Sequence, residues 1–526
     1  MKKFLCCILA LTTFFAVGAT SCAPKGESSP AGIVAGSYEL SLKRKTYNIE
    51  DGQTTDLRID FTIGNQEADV SKLNFSSSDE SIVTVSKDGK ITGVAGGTAQ
   101  VTVSYGETSL QATVNVTART HWIELSDENV LLLLGDSRQI TATAHFGKSE
   151  YEQATLAWQS SDPSIVTVEN GQLTAGQKGS ADITVSYEHA SATVRVTVVE
   201  EATAENVNSF DEEYVNIYGR SYLEDGELNL DHAANAVEVG VIGTSLTVNI
   251  SATGESYMRV VVDDEVGGQR IALKRGTNAY KVAEDLDEGL HKIRIVKATE
   301  EADAQWDVLS FEAEKFFSVP EKSDFKIEFI GDSITTGYGV RGFAGEERTV
   351  ANSDSTWSYA YLTARELGAD YSVIGWAGLA TKAFQWSDSM NMDMLYSWVS
   401  NSNRNEYTFT PDTDVVVVNL GTNDAHYLQY TDTSYGEQFV VDYQEFLTKV
   451  RAKNPNAHII CLYGMMRENG IIEMGIEKAI ENMNDDNIVF NPFEFVGNLE
   501  GAGQHPSMAA QKEWSEKLTA YIRGLV

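Results

Sequence analysis

Three short stretches of the chain hold residue types able to do nucleophilic chemistry. Gly331-Asp332-Ser333-Ile334-Thr335 follows an apolar run, Lys326–Ile330. Gly331 permits a tight exit from a strand. Ser333 then starts a helix or loop, its hydroxyl exposed near outward-pointing backbone N–H groups. The competing reading is a serine that only caps a helix. Gly421-Thr422-Asn423-Asp424 follows the run Val415–Leu420. An Asn at that point can donate an N–H to a developing oxyanion, or it can be a turn residue. Gly503-Gln504-His505-Pro506-Ser507 precedes the last helical pattern. His505 is placed like a general base on a loop, with Pro506 and Ser507 opening the helix, or it is a structural histidine. Each stretch is ambiguous alone. Together, in this order, they supply a nucleophile, an oxyanion donor and a base.

The surrounding pattern shows what would hold them. After Pro320 short apolar runs alternate with helical segments: Lys326–Ile330, Tyr371–Ile374, Val415–Leu420, His458–Leu462 and Asn487–Phe490. The four valines Val415–Val418 suit a strand buried on both faces. Phe439, Tyr443, Phe446, Leu447 and Val450 fall on one helical face, and Ala510, Trp514, Leu518, Tyr521 and Ile522 on another. Five strands with helices between them predict a three-layer α/β domain over 325–526, with a five-stranded parallel, flavodoxin-like sheet. Functional groups in such a sheet gather in loops leaving the C-terminal strand ends, where all three stretches lie.

Upstream the chain is β-rich and the whole is multidomain. A strand pattern such as Ser245–Ile250, Tyr257–Val262 and His291–Val296 predicts a jelly-roll-like β-sandwich over 206–317. Before it lies an internal repeat. Phe75–Asp79 and Ser81–Val85 recur as Trp158–Asp162 and Ser164–Val168, and Val101–Tyr105 recurs as Ile183–Tyr187. A period of about 80 residues with short alternating strands means tandem small sandwiches, 36–117 and 118–199. At the N-terminus, Lys2 and Lys3 precede an apolar stretch too short to span a bilayer, and Ala19-Thr20-Ser21 leads into Cys22. This predicts a signal peptide over 1–21 and a tether over 22–35; the small residues before Cys22 resemble a bacterial lipobox, which implies cleavage before a lipidated Cys22, the alternative being an ordinary signal peptide that contains a Cys. Outer-membrane lipid is then one partner, and the location is the bacterial envelope, on its periplasmic or cell-surface face.

Lys and Arg number 40 against 76 Asp and Glu, a net charge of -36, so nucleic-acid binding is not expected. After cleavage only Cys22 and Cys461 remain, which excludes a disulfide framework. Cys461 sits in an apolar run and reads as core. No C-x-x-C pair or H-E-x-x-H pattern occurs, so the sequence makes no case for a metal or other cofactor. Nothing in it sets the oligomeric state.

G-D-S-I-T, G-T-N-D and H-P-S in this order resemble the SGNH/GDSL hydrolase superfamily. The resemblance implies Ser333 as nucleophile, His505 as base, and the Ser333 N–H and Asn423 as oxyanion donors. It also implies an oxyanion glycine after the second strand, matched best by Gly378, with Gly375 the alternative. Residues 206–526 further resemble the second family of carbohydrate esterases, through Tyr218-Gly219-Arg220, Gly243–Leu246, Gly289-Leu290-His291 running to Thr299-Glu300, Gly331–Gly339 and Tyr463–Met466. That implies a serine esterase acting on acetylated polysaccharide or oligosaccharide of the xylan or glucomannan type. The repeats resemble group 2 bacterial Ig-like domains. One position departs from the superfamily: the acid usually lies three residues before the histidine, and Ala502 stands there. A Ser–His dyad with the imidazole held by a backbone carbonyl is the expectation, with Glu500 as a substitute acid. A general short-chain acylhydrolase is the alternative enzyme. A surface glycan-binding or adhesive lipoprotein with little or no catalysis is the alternative outside enzymes.

Overall fold

The computed structural model describes residues 37–525, apart from 65, 148, 151–154, 266–267, 384–388 and 429–434. The expected signal segment, the tether and Cys22 lie outside the described residues.

Within the N-terminal unit a four-stranded sheet orders Thr46–Glu50, Thr108–Thr117, Gly97–Tyr105 and Asn74–Ser77. Its first pair is parallel and its second antiparallel. Alternation along the strands buries Val101 and Val103 with Ala112 and Val114. The second copy has the same order and the same senses over Asn129–Leu133, Ala190–Val199, Gly179–Tyr187 and Ala157–Ser160. It buries Ile183, Val185, Val194 and Val196. The repeat in sequence is therefore a repeat of strand layout.

From Glu201 to Phe317 two antiparallel sheets of seven and five strands share a core that includes Val237, Val239, Val248, Ile250, Trp306 and Phe311. Glu201–Ala202 pairs with Lys315–Phe317, so this sandwich begins before residue 206. An edge strand of two residues is too short to show alternation, which hides it in the sequence.

The C-terminal domain holds β1 (Lys326–Gly331), β2 (Asp370–Gly375), β3 (Val415–Asn419), β4 (His458–Leu462) and β5 (Ile488–Phe490). They form one parallel sheet in the order β2-β1-β3-β4-β5. All five residues of β3 are buried. Each fully buried valine there stabilises the fold by about 1.5–3 kcal/mol. Besides a short helix at Met392–Ser397, the helices are α1 (Ser333–Thr336), α2 (Tyr359–Glu366), α3 (Thr422–Leu428), α4 (Tyr435–Lys453), α5 (Gly470–Met483) and α6 (Met508–Arg523). One sheet face packs on Phe439, Tyr443 and Phe446 of α4 and on Ile472 and Ile476 of α5. The other packs on Tyr359 of α2 and on Trp514, Leu518 and Ile522 of α6, so the domain has three layers. Strand order reverses at β1, and the crevice at that switch point is where such sheets place their ligands.

The sandwich shares the second of these cores, to which it contributes Tyr218, Ala236, Val261 and Val296. Arg220 is buried there and donates to the Tyr396 and Trp398 carbonyls at 2.7 and 3.0 Å and to Glu328 at 3.1 Å. Asp354, fully buried, pairs with Arg259 at 2.7 Å and Arg270 at 3.4 Å from the sandwich and with Arg341 at 3.2 Å. Removing one partner of such a buried pair costs about 3–5 kcal/mol, because it strands the other charge inside the interface between the two domains.

Candidate active site

β1 delivers Ser333 to the crevice. Asp332, rather than Ser333, caps α1: its Oδ1 accepts from the Ile334 N–H at 3.0 Å. The serine hydroxyl is thereby free for another partner, and His505 Nε2 lies 2.8 Å from its Oγ. The other ring nitrogen, Nδ1, is 2.9 Å from the Gly503 carbonyl oxygen. A carbonyl only accepts, so Nδ1 carries the proton and Nε2 is left to accept from Ser333. Gly503 has φ +63°, a conformation that L residues with side chains seldom adopt, and it stands two residues before the ring it holds. His505 itself precedes Ser507, the N-cap of α6.

The usual acid position is filled by packing. Ala502 is fully buried against the loop after α1, where a Cβ added at Gly342 would come within 2.5 Å of its methyl. The Ala502 methyl thus packs directly on the Gly342 backbone, and no carboxylate stands at this position. Glu500 turns elsewhere and accepts from Asn498 Nδ2 at 3.0 Å. The acceptor on His505 is thus the Gly503 carbonyl. Desolvation drives the His505 pKa down from 6.5 to about 4; the Gly503 carbonyl opposes this and the nearby Arg348 charge adds to it. The Tyr338 ring lies 4.4 Å from the imidazole, and the Arg348 guanidinium lies 4.7 Å from the Tyr338 ring.

A cleft of about 600 Å³ opens on these residues, and Gly378, Asn423, Met466, Arg467 and Gln504 also line it. Gly375 ends β2 in register with Gly331, inside the sheet. Gly378, at φ +88°, faces the cleft instead. Among the described residues neither the Ser333 N–H nor the Gly378 N–H finds a protein acceptor. Asn423 is placed beside them with a constraint. Its Nδ2 donates to Asp332 Oδ2 at 3.1 Å and to the Leu379 carbonyl at 3.0 Å. Both neighbours are acceptors, which fixes the nitrogen on that side, and an oxyanion would share one of those hydrogens. Burial raises Asp332 to about 7, with the Ile334 N–H opposing and Asp424 adding. Burial likewise raises Asp424 to about 6. Asp424 accepts from the Thr381 N–H and hydroxyl at 3.0 and 3.1 Å and from the Tyr435 hydroxyl at 2.9 Å, which ties down the loop carrying Gly378.

Asp332, Asp424 and Arg348 have no role that the sequence alone assigns. The first two stand beside Ser333 and Asn423 as polar residues straight after an apolar strand, which was the available signal. Of the aromatics near the motifs, Tyr338 lines the cleft. Trp376 and Tyr427 pack on the apolar core, and Trp357 lines a separate hollow by α2 and α6. Cys461 is a core residue whose thiol burial pushes up to about 12.

A parallel sheet in this order brings a serine, a histidine and N–H groups together at its switch point, the set of groups that nucleophilic acyl transfer needs. Residues 329–512 match the GDSL-like Lipase/Acylhydrolase family, 217–320 match Carbohydrate esterase 2 N-terminal, and 39–116 match the Bacterial Ig-like domain (group 2). The chain therefore carries a GDSL-like domain joined to a carbohydrate esterase 2 N-terminal domain, with a bacterial Ig-like domain before them. It is 32% identical over 262 residues to the cellulase/esterase CelE of Acetivibrio thermocellus, over 47% of this chain and 31% of that protein. It is 27% identical over 272 residues to an acetylxylan esterase / glucomannan deacetylase of Cellvibrio japonicus, over 47% of this chain and 72% of that one. This chain thus spans under a third of CelE. Among solved structures it resembles a family two carbohydrate esterase from Clostridium thermocellum in complex with cellohexaose, at 28% identity and TM-score 0.54, covering 59% of this chain and 98% of that one.

Proposed function

We propose that this protein is a serine esterase that removes O-acetyl groups from polysaccharide of the xylan or glucomannan type. Ser333 attacks the ester carbonyl, and its proton passes to His505 Nε2. The tetrahedral oxyanion is held by the Ser333 and Gly378 N–H groups and by Asn423. His505 gives the proton to the sugar oxygen as the C–O bond breaks, releasing the free hydroxyl, and a water activated by the same nitrogen releases acetate from the serine. The observation that carries this reading is the Ser333–His505 contact of 2.8 Å with Nδ1 on the Gly503 carbonyl. The polysaccharide class is supported by the activities named for the two curated relatives and by the cellohexaose bound to the structural neighbour.

The test is acetate release from acetylated xylan and acetylated glucomannan, beside an aryl acetate, for wild type and Ser333→Ala. Release that Ser333→Ala abolishes supports the proposal. Turnover of the aryl ester alone would leave a general acylhydrolase, and turnover of neither would leave a glycan-binding lipoprotein. We further propose attachment to the bacterial envelope through an acylated Cys22, on the support of Lys2-Lys3, the apolar stretch and the small residues before the cysteine. Labelling cells with a tagged fatty acid should mark the wild-type protein and not a Cys22→Ala variant. Equal labelling of both would remove the anchor.

A further inference from the structure

We propose that Glu300, a residue of the β-sandwich, is a positioning residue for the esterase centre, holding the oxyanion loop and the histidine side of the cleft in register. The inference rests on the esterase reading above. Glu300 follows the sandwich strand Leu290–Lys297 and is 4% exposed. Its Oε2 accepts from the Ala377 N–H at 3.0 Å. Ala377 directly precedes Gly378, which lines the cleft and whose N–H has no backbone acceptor among the described residues. Its Oε1 lies 3.5 Å from the Arg348 guanidinium. Arg348 also pairs with Asp303 of the sandwich and donates from Nε to Ser353 Oγ at 2.9 Å. That guanidinium lies over Tyr338, and Tyr338 lies against His505.

One carboxylate therefore touches two loops of the hydrolase domain. The loop after β2 carries the oxyanion glycine, and the loop between α1 and α2 carries Tyr338 and Arg348. The distance between those loops sets where the oxyanion donor stands relative to the base. Lys297 holds the carboxylate's own backbone, donating from Nζ to the Thr299 and Glu300 carbonyls at 3.0 and 3.1 Å. Burying a carboxylate costs stability, and an apolar side chain would fill the same interface with less penalty. What an apolar side chain cannot do is accept from the Ala377 N–H or attract Arg348. Burial pushes Glu300 up to about 7. The Ala377 N–H, Arg348 and Lys297 favour its ionised form, and Asp303 disfavours it.

The experiment uses the full chain and a soluble aryl acetate, with unfolding temperature recorded for each variant. Glu300→Met keeps the length and removes both charge and acceptor. Its kcat should fall about 10- to 100-fold, with KM within about 3-fold, because small displacements of an oxyanion donor are costly. Glu300→Gln keeps an oxygen for the Ala377 N–H and should restore most of the loss. Arg348→Met tests the other arm. His505 is faced by Ser333, the Gly503 carbonyl, Tyr338 and Arg348, and of these only Arg348 carries a positive charge that lowers its pKa. Removing it should move the acid limb of kcat/KM to higher pH. A folded Glu300→Met with wild-type kcat overturns the proposal, as does Glu300→Gln equal in damage to Glu300→Met. If Glu300→Met does not fold, an unmoved acid limb in Arg348→Met overturns it, and a limb moved upward with an active Glu300→Gln supports it. A wild-type protein without turnover overturns the esterase reading and this role with it. An active wild type beside an unaltered Glu300→Met overturns the role alone.

Discussion

Acidifying the assay is the most discriminating perturbation of the Ser333–His505 pair, because the pair has no carboxylate. In a triad, a buried acid beside the imidazole favours its charged form. Here the partner of Nδ1 is a neutral carbonyl, desolvation dominates, and Arg348 adds to it, so the pKa is lowered from 6.5 to about 4. The base must be neutral to act. At pH 5.5 a His with a pKa of 4 is about 97% neutral, whereas one at 6.5 is about 9% neutral, a difference of roughly tenfold in kcat/KM. The same depression means that the unfolded chain binds the extra proton first. Stability contributed by a neutral His505 is present above pH 6.5 and is lost as pH falls toward 4, so folding must be followed at each pH. Initial rates on an aryl acetate between pH 3.5 and 8 give the profile. A single acid limb with its midpoint well below 6.5, in protein that remains folded, is expected. A midpoint at 6.5 or above would refute the reasoning and place a charge-stabilising acceptor on Nδ1.

Asn423→Ala should lower kcat by roughly 100- to 1,000-fold with KM changed far less, as for loss of an oxyanion donor. A change confined to KM would make Asn423 a binding residue whose amide stays on Asp332 and Leu379. Glu500→Gln should leave kcat/KM and its acid limb unchanged, because the Glu500 carboxylate is engaged with Asn498. A tenfold loss would show that it reaches His505 during turnover.

Much of this arrangement could be read from sequence where the physics is local. Val415–Val418 is apolar at every position because β3 is covered on both faces. Phe439, Tyr443, Phe446, Leu447 and Val450 repeat at helical spacing because α4 buries one stripe. Ser333, Asn423 and His505 stand at strand or helix ends, so order along the chain was enough to group them. The supports were not legible. Gly503 holds the imidazole through its backbone, which leaves no side-chain mark. Ala502 shows that an acid is absent but not that Gly342 packs into its place. Glu300 and Arg348 lie in polar loops without periodicity, and their partners, Ala377 and Asp303, are distant in sequence. Pairing of that kind is decided by how the sandwich packs on the α/β domain. Asp332 and Ser333 are both good N-cap residues, so the sequence does not say which of them caps α1; the structure gives the cap to Asp332.

The proposed mechanism requires that Ser333 become covalently acylated. Mixing the protein with an aryl acetate at low pH, quenching within one turnover and mapping peptides by mass spectrometry tests it directly. One acetyl group is expected on the peptide containing Ser333, absent in Ser333→Ala and accumulating far more slowly in His505→Ala. Hydrolysis at the wild-type rate by Ser333→Ala, or acetylation at another residue that competently releases acetate, would contradict it.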